Sequence, residues 1–306
     1  MAGRVAEIER VFAGRKGRLK LYVQALRLHQ WLKNLLVFLP LVMAHRFLEP
    51  GLIAKALLAF LSFGLCASSV YLLNDLLDLS DDRHHPRKRH RPFAAGELSP
   101  LLGLFSSPWL LALALLISLL LPPAFLWMIV IYYLLTLAYS FYFKRIVLLD
   151  VIILAGLYTM RIMAGSASVA LWPSSWLLAF STFIFLSLAL VKRYAELVIM
   201  SAETGKVRVR GYQIIDKELL ASLGSGSGYV AVLVLAMYIS SGMAEIHYTR
   251  HQLIWLLCPL LLYWISFVWL KAHRGEMHDD PLVFTVRDQG SRIVMLLGAA
   301  ILALAM

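Results

Sequence analysis

Nine long apolar runs restrict the fold of this chain more than any other feature of its sequence. Hydrophobic residues make up 60% of the 306 residues and charged residues 15%, against roughly 25% charged residues in a soluble domain. Because lipid cannot hydrogen-bond to the backbone, runs of this length are expected to cross the bilayer as helices. The sequence therefore predicts an all-α, polytopic membrane protein with spans at residues 32–47, 52–74, 101–121, 124–141, 147–169, 174–191, 219–242, 252–270 and 290–306.

Basic residues are distributed unevenly between the two sides of the predicted membrane domain. If the connections alternate sides, all but five of the 29 lysines and arginines lie at the N-terminus and in the loops after even-numbered spans. Cytoplasmic loops retain such an excess. We therefore expect the N-terminus in the cytoplasm and the C-terminus on the outer side of the cell (inner) membrane. The five exceptions are Arg46, Lys55, Arg161, Arg250 and Arg292.

The chain is predicted to form a single membrane domain over residues 1–306, with residues 1–26 as a cytoplasmic N-terminal segment. That segment lacks the apolar region and the small-residue cleavage site of a secretory signal. A net charge of +11 reflects mainly the topology, and it also suits anionic membrane lipids or an anionic substrate. Nucleic acid is a poor partner for so hydrophobic a chain. The oligomeric state, including a homo-oligomer, stays open.

An acidic cluster lies at the predicted cytoplasmic end of the second span, in the sequence "NDLLDLSDD". On a helix with about 3.6 residues per turn, Asn74, Asp75, Asp78, Asp81 and Asp82 project onto one face within two turns. Converging carboxylates repel one another unless a cation lies between them, and Mg²⁺ takes such oxygen ligands together with substrate phosphates. A solvated helix end is the alternative. The spacing at the mouth of an apolar bundle favours a metal–phosphate site.

The same residues carry a resemblance to a known family. The pattern Asn-Asp-x-x-Asp-x-x-x-Asp resembles the signature of the UbiA superfamily of intramembrane prenyltransferases, and the following "HPRKRHRPFAAGELS" is similar to the loop after that signature. The resemblance implies a UbiA-type bundle of nine transmembrane helices with cytoplasmic polar loops. It also implies that Asn74, Asp78 and Asp82 bind Mg²⁺ and a diphosphate, with Asp75 as an additional or supporting ligand.

One departure from the usual pattern narrows the resemblance to a branch of the superfamily. Most members carry a second aspartate-rich motif after the sixth span, where this chain reads "KRYAEL" from Lys192 to Leu197. Together with "HQWLKNLLVFLPLVMA" and "DPLVFTVRDQGS", this stretch resembles the decaprenyl-phosphate phosphoribosyltransferase branch. A site with one acidic cluster organises one metal-bound diphosphate, and cations opposite it suit a further phosphate.

The branch implies transfer of a 5-phosphoribosyl group from phosphoribosyl diphosphate to a polyprenyl phosphate, for precursors of cell-envelope glycans. Mg²⁺ on the acidic motif would neutralise the departing diphosphate. The acceptor phosphate is already anionic near neutral pH, so it needs no strong base. The expected catalytic residues are therefore Asp78 and Asp82 on the metal side, and Lys192 and Glu196 opposite them.

Other cations and polar groups are expected to bind the phosphates or the ribose. Some also have an ordinary structural interpretation: Lys33 and Lys144 as lysines that extend to the membrane interface, and Tyr139 as part of an aromatic belt. The resemblance favours the site interpretation. The expected substrate-binding residues are Lys33, Asn34, Arg83, Lys88, Arg91, Tyr139, Lys144, Arg161, Arg193 and Tyr194.

Two interpretations stay open for residues in and after the later spans. Lys192 and Glu196 have the i,i+4 spacing of an ion pair on one helix face. Alternatively, Lys192 or Arg193 holds phosphate while Tyr194 and Glu196 contact the ribose hydroxyls. Arg161 lies deep in a span, so it must face a cavity or a partner. It is either a site residue or a structural link between helices.

Two other functions also stay open from the sequence alone. A UbiA-type prenyltransferase would move a polyprenyl chain from prenyl diphosphate to an aromatic or lipid acceptor, which the missing second acidic motif disfavours. An anion transporter would need charges through the membrane midplane, whereas here the charges cluster on one side. The loop histidines and the pair His278–Asp279 do not have zinc-ligand spacing.

Overall fold

The computed structural model describes residues 17–84, 88–204, 208–209, 211–277 and 280–306. Most of the expected N-terminal segment, together with Arg87 and the pair His278–Asp279, lies outside these ranges. Within them the chain forms thirteen α-helices. They are α1 (Arg18–Ala25), α2 (Leu39–Met43), α3 (Pro50–Leu77), α4 (Leu79–His84), α5 (Pro100–Ser118), α6 (Pro123–Phe141), α7 (Leu149–Ser168), α8 (Ser175–Thr204), α9 (Lys217–Ser240), α10 (Met243–His247), α11 (Leu257–His273), α12 (Pro281–Arg287) and α13 (Gln289–Ala305).

The remaining regular structure connects these helices. One small antiparallel hairpin pairs β1 (Arg208–Val209) with β2 (Tyr212–Gln213), with Val209 opposite Tyr212. The 3₁₀-helices of the described ranges are Leu28–Phe38, Lys88–His90, Phe143–Arg145, Ile214–Asp216 and His251–Leu256.

The all-α membrane architecture is confirmed, but the number of nine spans is not. Across the described residues, seven helical segments are long and apolar enough to cross a bilayer, and α12 with α13 adds an eighth if this pair, bent by 84°, counts as one span. The bend lies at Asp288, whose extended backbone (φ −72°, ψ 132°) ends α12 and whose side chain caps α13 by accepting from the backbone N–H of Ser291 at 2.8 Å. The seven segments are Pro50–Leu77, Pro100–Ser118, Pro123–Phe141, Leu149–Ser168, Ser175–Ile199, Ile214–Ser240 and His251–His273.

The segment that we predicted as the first span is wound differently from an ordinary transmembrane helix. Instead of one α-helix over residues 32–47, the 11 residues Leu28–Phe38 form a 3₁₀-helix, and the five residues of α2 continue it to Met43. A 3₁₀-helix rises about 2.0 Å per residue and an α-helix about 1.5 Å. Leu28–Met43 therefore extends over roughly 30 Å, the thickness of a hydrocarbon core, with fewer residues than an α-helix needs.

A close backbone approach fixes this first segment against the bundle. A Cβ atom on Gly165 of α7 would lie 2.1 Å from the carbonyl oxygen of Val37. Only glycine fits this position, because any side chain would push α7 and the 3₁₀-helix apart. The contact places residues 33 and 34 between α7 and the other helices.

The two largest of five apolar clusters in the described residues hold the bundle together. One joins α7, α8, α9 and α11 through buried side chains such as Tyr158, Val191, Leu220 and Val268. The other joins α3, α5, α6 and α7. Ion pairs connect the end of α3 to the end of α6, and the start of α7 to Arg193 in the second half of α8. The polar site therefore lies at one end of the bundle.

Candidate active site

The acidic motif lies on a helix that breaks in its middle. We predicted one continuous helix through Asn74 to Asp82, but α3 ends at Leu77, and Asp78 (φ −92°, ψ 12°) separates it from α4. Backbone N–H groups of Asp78 and Asp82 still donate to the carbonyls four residues earlier, at 2.9 and 2.8 Å. The helical turn is thus retained across the break. Asp75 and Asp82 are both 2% exposed, whereas Asp81 points outward and is exposed.

Two arginines bind the buried carboxylates of this motif. Arg91 donates through Nη1 to Asp82 Oδ2 at 2.5 Å and to Asp75 Oδ1 at 3.1 Å. Arg27, which precedes the first 3₁₀-helix with a positive φ of 53°, donates to the same Asp75 oxygen. Arg91 comes from the loop after α4, so it fastens that loop to the motif. The buried carboxylates are therefore charge-compensated by residues from two other segments.

Asp78 is the more accessible acid of the motif. Its side chain is 35% exposed and accepts from Lys144 Nζ at 2.9 and 3.2 Å. Lys144 follows α6 in the 3₁₀-helix Phe143–Arg145. The lysine thus brings the end of α6 to the break between α3 and α4.

The donor chemistry of the motif fits Mg²⁺. Asn74 Oδ1 is buried and has no hydrogen-bond partner within the described part of the chain, and an unpaired buried acceptor is costly unless it binds a cation or a donor. The other groups are carboxylate oxygens, which Mg²⁺ prefers. No three acidic, histidine or cysteine side chains of the described ranges converge as a finished metal site. A metal would therefore need oxygen ligands from an anionic substrate as well.

A second charged cluster lies on Asp280, just before α12. Lys33 Nζ and Lys192 Nζ both bind Asp280 Oδ2, at 2.8 and 3.1 Å. The Tyr158 hydroxyl donates to both carboxylate oxygens, at 3.0 and 2.9 Å. Burial alone would raise the pKa of Asp280, but the two ammonium groups outweigh it and hold that pKa well below its usual range.

A cavity of about 300 Å³ lies beside this lysine pair. That volume is at the lower end of small-molecule sites. The cavity borders the acidic motif through Arg27, which binds Asp75, and through Tyr71 on α3. Gln30 and Lys33 lie three residues apart in the first 3₁₀-helix, whose threefold repeat puts them on one edge. The cavity is lined by Arg27, Gln30, Lys33, Tyr71, Lys192, Ala195, Glu196, Ile199, Met277 and Asp280.

Arg193, in contrast, is buried and fully engaged beside the cavity. It donates to Asp150 Oδ2 at 2.5 Å, to the Tyr139 hydroxyl at 3.0 Å and to Glu196. The hydroxyl of Tyr212, on the hairpin, donates to the other oxygen of Asp150 at 2.5 Å. This network joins α6, α7, α8 and the hairpin, and it orients Glu196 at the cavity. Beyond the i,i+4 spacing that the sequence offered, Lys192 binds Asp280 and Glu196 binds Arg193.

Tyr194 and Arg161 face away from the cavity lining. The Tyr194 hydroxyl lies 2.9 Å from His273 Nδ1 on α11. Arg161 is 4% exposed and donates to Asn34 Oδ1 at 3.1 Å and to the Tyr132 hydroxyl at 2.8 Å. Its guanidinium also lies over three aromatic rings, within 5.6 Å of each centroid. Arg161 therefore links helices from inside the bundle, and it holds Asn34 next to Lys33.

The remaining predicted ligands lie in the loop after α4. Arg83 is exposed at the end of α4, and Lys88 is half-buried in the 3₁₀-helix Lys88–His90. Sequence reasoning did not single out Arg27 or Asp280. Asp280 carried one available signal, since an acidic residue before Pro281 is the pattern of a helix N-terminus, but its two lysine partners are remote in sequence.

Comparison with solved structures agrees with this architecture. A UbiA homologue from Archaeoglobus fulgidus, described as bound to DMAPP and Mg²⁺, superposes with a TM-score of 0.69 and 19% sequence identity, over 92% of this chain and 99% of that one. At this identity the likeness shows the fold alone. Digeranylgeranylglyceryl phosphate synthase has a TM-score of 0.64 at 17% identity, over 95% of this chain and 99% of its own.

Proteins of similar sequence align with different shares of this chain. The uncharacterized protein y4nM of Sinorhizobium fredii is 37% identical over 93% of this chain, which spans only 56% of that protein's length. Nodulation protein NoeC of Azorhizobium caulinodans is 36% identical over 92% of this chain and 91% of its own. Decaprenyl-phosphate phosphoribosyltransferase of Mycolicibacterium smegmatis is 38% identical over 61% of this chain and 60% of its own.

The family assignment follows from the match to a family model. The model described as "UbiA prenyltransferase family" matches residues 35–287, which include the acidic motif, Lys192 and Asp280 but not Lys33. That range is well over half of the 306 residues. The chain is therefore an integral membrane protein that belongs to the UbiA prenyltransferase family.

Proposed function

We propose that this protein transfers a 5-phosphoribosyl group from phosphoribosyl diphosphate to a polyprenyl phosphate such as decaprenyl phosphate. The observation that carries the proposal is the convergence of Lys33 and Lys192 on the wall of one cavity. The acidic motif lies next to this cavity, since the lining residue Arg27 binds Asp75. Two anionic groups then have two neighbouring binding sites, the acidic motif and the lysine-lined cavity. The partial similarity to decaprenyl-phosphate phosphoribosyltransferases supports this choice of substrates.

The acidic motif suits the departing diphosphate. Asn74, Asp75, Asp78 and Asp82 would hold Mg²⁺. When bound, the ion supplies charge neutralisation to the leaving group. Lys144 and Arg91, which now bind carboxylates of the motif, would turn part of their hydrogen bonds to the diphosphate oxygens. Positioning and charge compensation then dominate the catalysis.

The lysine side of the cavity suits the other phosphate. Lys33 and Lys192 each retain ammonium donors beyond the one that binds Asp280, because an ammonium group has three. Glu196 lines the same cavity and would accept hydrogen bonds from ribose hydroxyls. The oxygen of the lipid phosphate attacks ribose C1, the C1–O bond to diphosphate breaks, and the configuration at C1 inverts. We place this end of the bundle on the cytoplasmic side, where the basic loops are expected.

A label-transfer assay tests the proposal. Purified protein in lipid nanodiscs receives Mg²⁺, ribose-labelled phosphoribosyl diphosphate and a polyprenyl phosphate, and the label in the organic phase is counted. We expect transfer by the wild type and at least a tenfold loss in Asp78→Asn, about the cost of one transition-state contact. Lys55→Gln, an exposed charge at the start of α3, is the matched control and should keep full activity.

Two results would overturn the proposal. One is an absence of label in the lipid phase with any polyprenyl phosphate, while prenyl diphosphate and an aromatic acid give product; this outcome would assign a prenyl transfer instead. The other is undiminished transfer by Asp78→Asn, which would remove the acidic motif from the chemistry.

A further inference from the structure

We infer that Asp280 is a positioning residue that keeps Lys33 and Lys192 together, both charged and aimed at the cavity, as a cradle for a phosphate group. The identity of the substrate rests on the proposed function above. The role of Asp280 itself concerns any phosphate that enters the cavity, so it is testable without the organic substrates.

The two lysines share one carboxylate oxygen. Both ammonium nitrogens lie within 3.1 Å of one oxygen, Asp280 Oδ2, so two like charges are held next to each other. The exposed fractions are 9% for the Lys33 side chain and 5% for that of Asp280. At such burial two adjacent ammonium groups repel strongly, and the shared carboxylate is what offsets the repulsion.

Charged and titratable groups surround Lys33 on several sides. A buried ammonium group without a counter-ion sheds its proton easily, because burial and nearby positive charge both disfavour the charged form. Glu196 binds Arg193 and also acts on Lys192, whereas the carboxylate that acts on Lys33 is that of Asp280. The titratable or charged groups that surround Lys33 are Tyr158 and Arg161 from α7, Lys192 and Glu196 from α8, Tyr71 from α3, Arg27 before the 3₁₀-helix and Asp280 before α12.

Asp280 is held in place by contacts on two sides. It caps α12 by accepting from the backbone N–H of Leu282 at 3.3 Å, and Pro281 follows it at the first helical position. The Tyr158 hydroxyl binds the carboxylate from the opposite side. With its position fixed at a helix terminus, Asp280 sets where both ammonium groups lie. The low pKa of Asp280 keeps it ionised over the whole range in which an enzyme is assayed.

The substitution Asp280→Asn removes the negative charge and keeps the size of the side chain. Asparagine caps a helix as well as aspartate does and still accepts a hydrogen bond from Tyr158, but it leaves Lys33 without its carboxylate partner and removes one from Lys192. Asp288→Asn is the matched control, because Asp288 caps α13 in the same bent pair by accepting from Ser291. Both substitutions remove one negative charge from a cap, and only the first touches the lysines.

The experiment measures the binding of inorganic diphosphate to the full chain in nanodiscs, by calorimetry at fixed free Mg²⁺. The dissociation constants are compared at about pH 6 and about pH 7.5, both well below the ordinary pKa of lysine, so that Lys33 of the wild type stays largely charged. The dissociation constant of each variant is divided by that of the wild type at the same pH. This ratio cancels the titration of the diphosphate itself. For Asp280→Asn we expect this ratio to worsen by about tenfold or more between the two pH values, since each unit above a pKa removes about tenfold of the protonated form. Asp288→Asn should give a ratio near one at both.

A second variant keeps the test decisive if Asp280→Asn does not fold. In Lys192→Gln, Asp280 still serves Lys33, so binding should weaken by the same factor at both pH values. A pH-dependent loss in Lys192→Gln, or a pH-independent ratio in Asp280→Asn, would show that Asp280 does not maintain the charges. Failure of ribosyl transfer in the wild type, with these diphosphate results intact, would reject the proposed substrates and leave the role of Asp280 standing.

Discussion

Lys144 Nζ lies 2.9 Å from Oδ1 of Asp78, an ion pair that connects the end of α6 to the break between α3 and α4. Both side chains are partly exposed, at 20% and 35%. Ion pairs at such exposure contribute roughly 0–1 kcal/mol to stability. Lys144 is therefore free, in energetic terms, to exchange Asp78 for a phosphate oxygen.

Lys144→Gln should lower activity far more than stability. We expect label transfer to fall by about tenfold or more, because a charged donor to the leaving group is lost. The midpoint of thermal unfolding should move by no more than a surface pair allows. Arg145→Gln, which removes an exposed neighbouring charge, is the control, and equal activity loss in both variants would show that the effect is general electrostatics.

Asp82→Asn and Asp81→Asn form a second matched pair. Asp82 is buried and bound by Arg91, and the adjacent Asp81 is exposed. Removing the buried charge leaves Arg91 short of a partner, which costs about 1–3 kcal/mol, and it removes an expected metal ligand. We expect Asp82→Asn to lose most activity and to need more Mg²⁺ for half-maximal rate, as a Mg²⁺ titration would measure. Asp81→Asn should behave as the wild type; the reverse ranking would refute the assignment of the buried face.

Gly165→Ala tests the approach of α7 to the first segment. The added Cβ would meet the Val37 carbonyl oxygen at 2.1 Å, so backbone must shift, and we expect destabilisation of about 1–3 kcal/mol. Diphosphate affinity should fall as well, because Lys33 lies four residues before Val37. Gly156→Ala, on the same helix, meets nothing within 4 Å and should be neutral or stabilising by up to about 1 kcal/mol. Denaturation curves of both variants give their free energies of unfolding. Equal free energies would mean that the close contact between Gly165 and Val37 is absent.

Arg161→Met should act on stability first. The change leaves Asn34 Oδ1 and the Tyr132 hydroxyl without their buried donor, at about 1–3 kcal/mol for each unsatisfied group. The unfolding midpoint should therefore drop clearly, with binding loss following only through the altered position of Lys33. Arg292→Met, exposed on α13, serves as the control. An Arg161→Met protein of wild-type stability that no longer bound diphosphate would instead make Arg161 a ligand.

Acid titration gives a prediction for Asp280 in the wild type. An acid whose pKa is lowered by folding stabilises the folded state above its unfolded pKa, and this contribution is lost as the pH falls through the folded value. The unfolded pKa of aspartate is about 3.9. The difference in unfolding midpoint between wild type and Asp280→Asn should thus stay constant from about pH 7 to about pH 5 and shrink only below about pH 4. A difference that disappears already near neutral pH would mean that the carboxylate is not ionised as described.

Local patterns predicted the parts of this structure that depend on local physics. Apolar runs gave the membrane helices, because bilayer thickness fixes their length. Helical spacing brought Asp75 and Asp82 to one face and placed Lys192 and Glu196 at the same cavity. Asp81 escaped this reasoning, because it is exposed although the helical turn continues past Asp78.

Partners remote in sequence could not be predicted in this way. Asp280 binds Lys33 and Lys192, and Asp150 binds Arg193, only because the bundle brings separate helices together. Lys192 thus binds a partner that its i,i+4 spacing to Glu196 does not reveal. The 3₁₀ winding of residues 28–38 likewise has no sequence signal comparable to a cap or a proline, and its last turn packs against Gly165.

That winding has a consequence for the depth and alignment of the cavity edge. In an α-helix, a step of three residues falls about 60° short of a full turn, so Gln30 and Lys33 would point in different directions instead of standing in a row. The 11-residue stretch would also contract by about 5 Å. A change of pitch alone, with every side chain kept, would withdraw the lysine from Asp280 and separate two residues of the cavity wall.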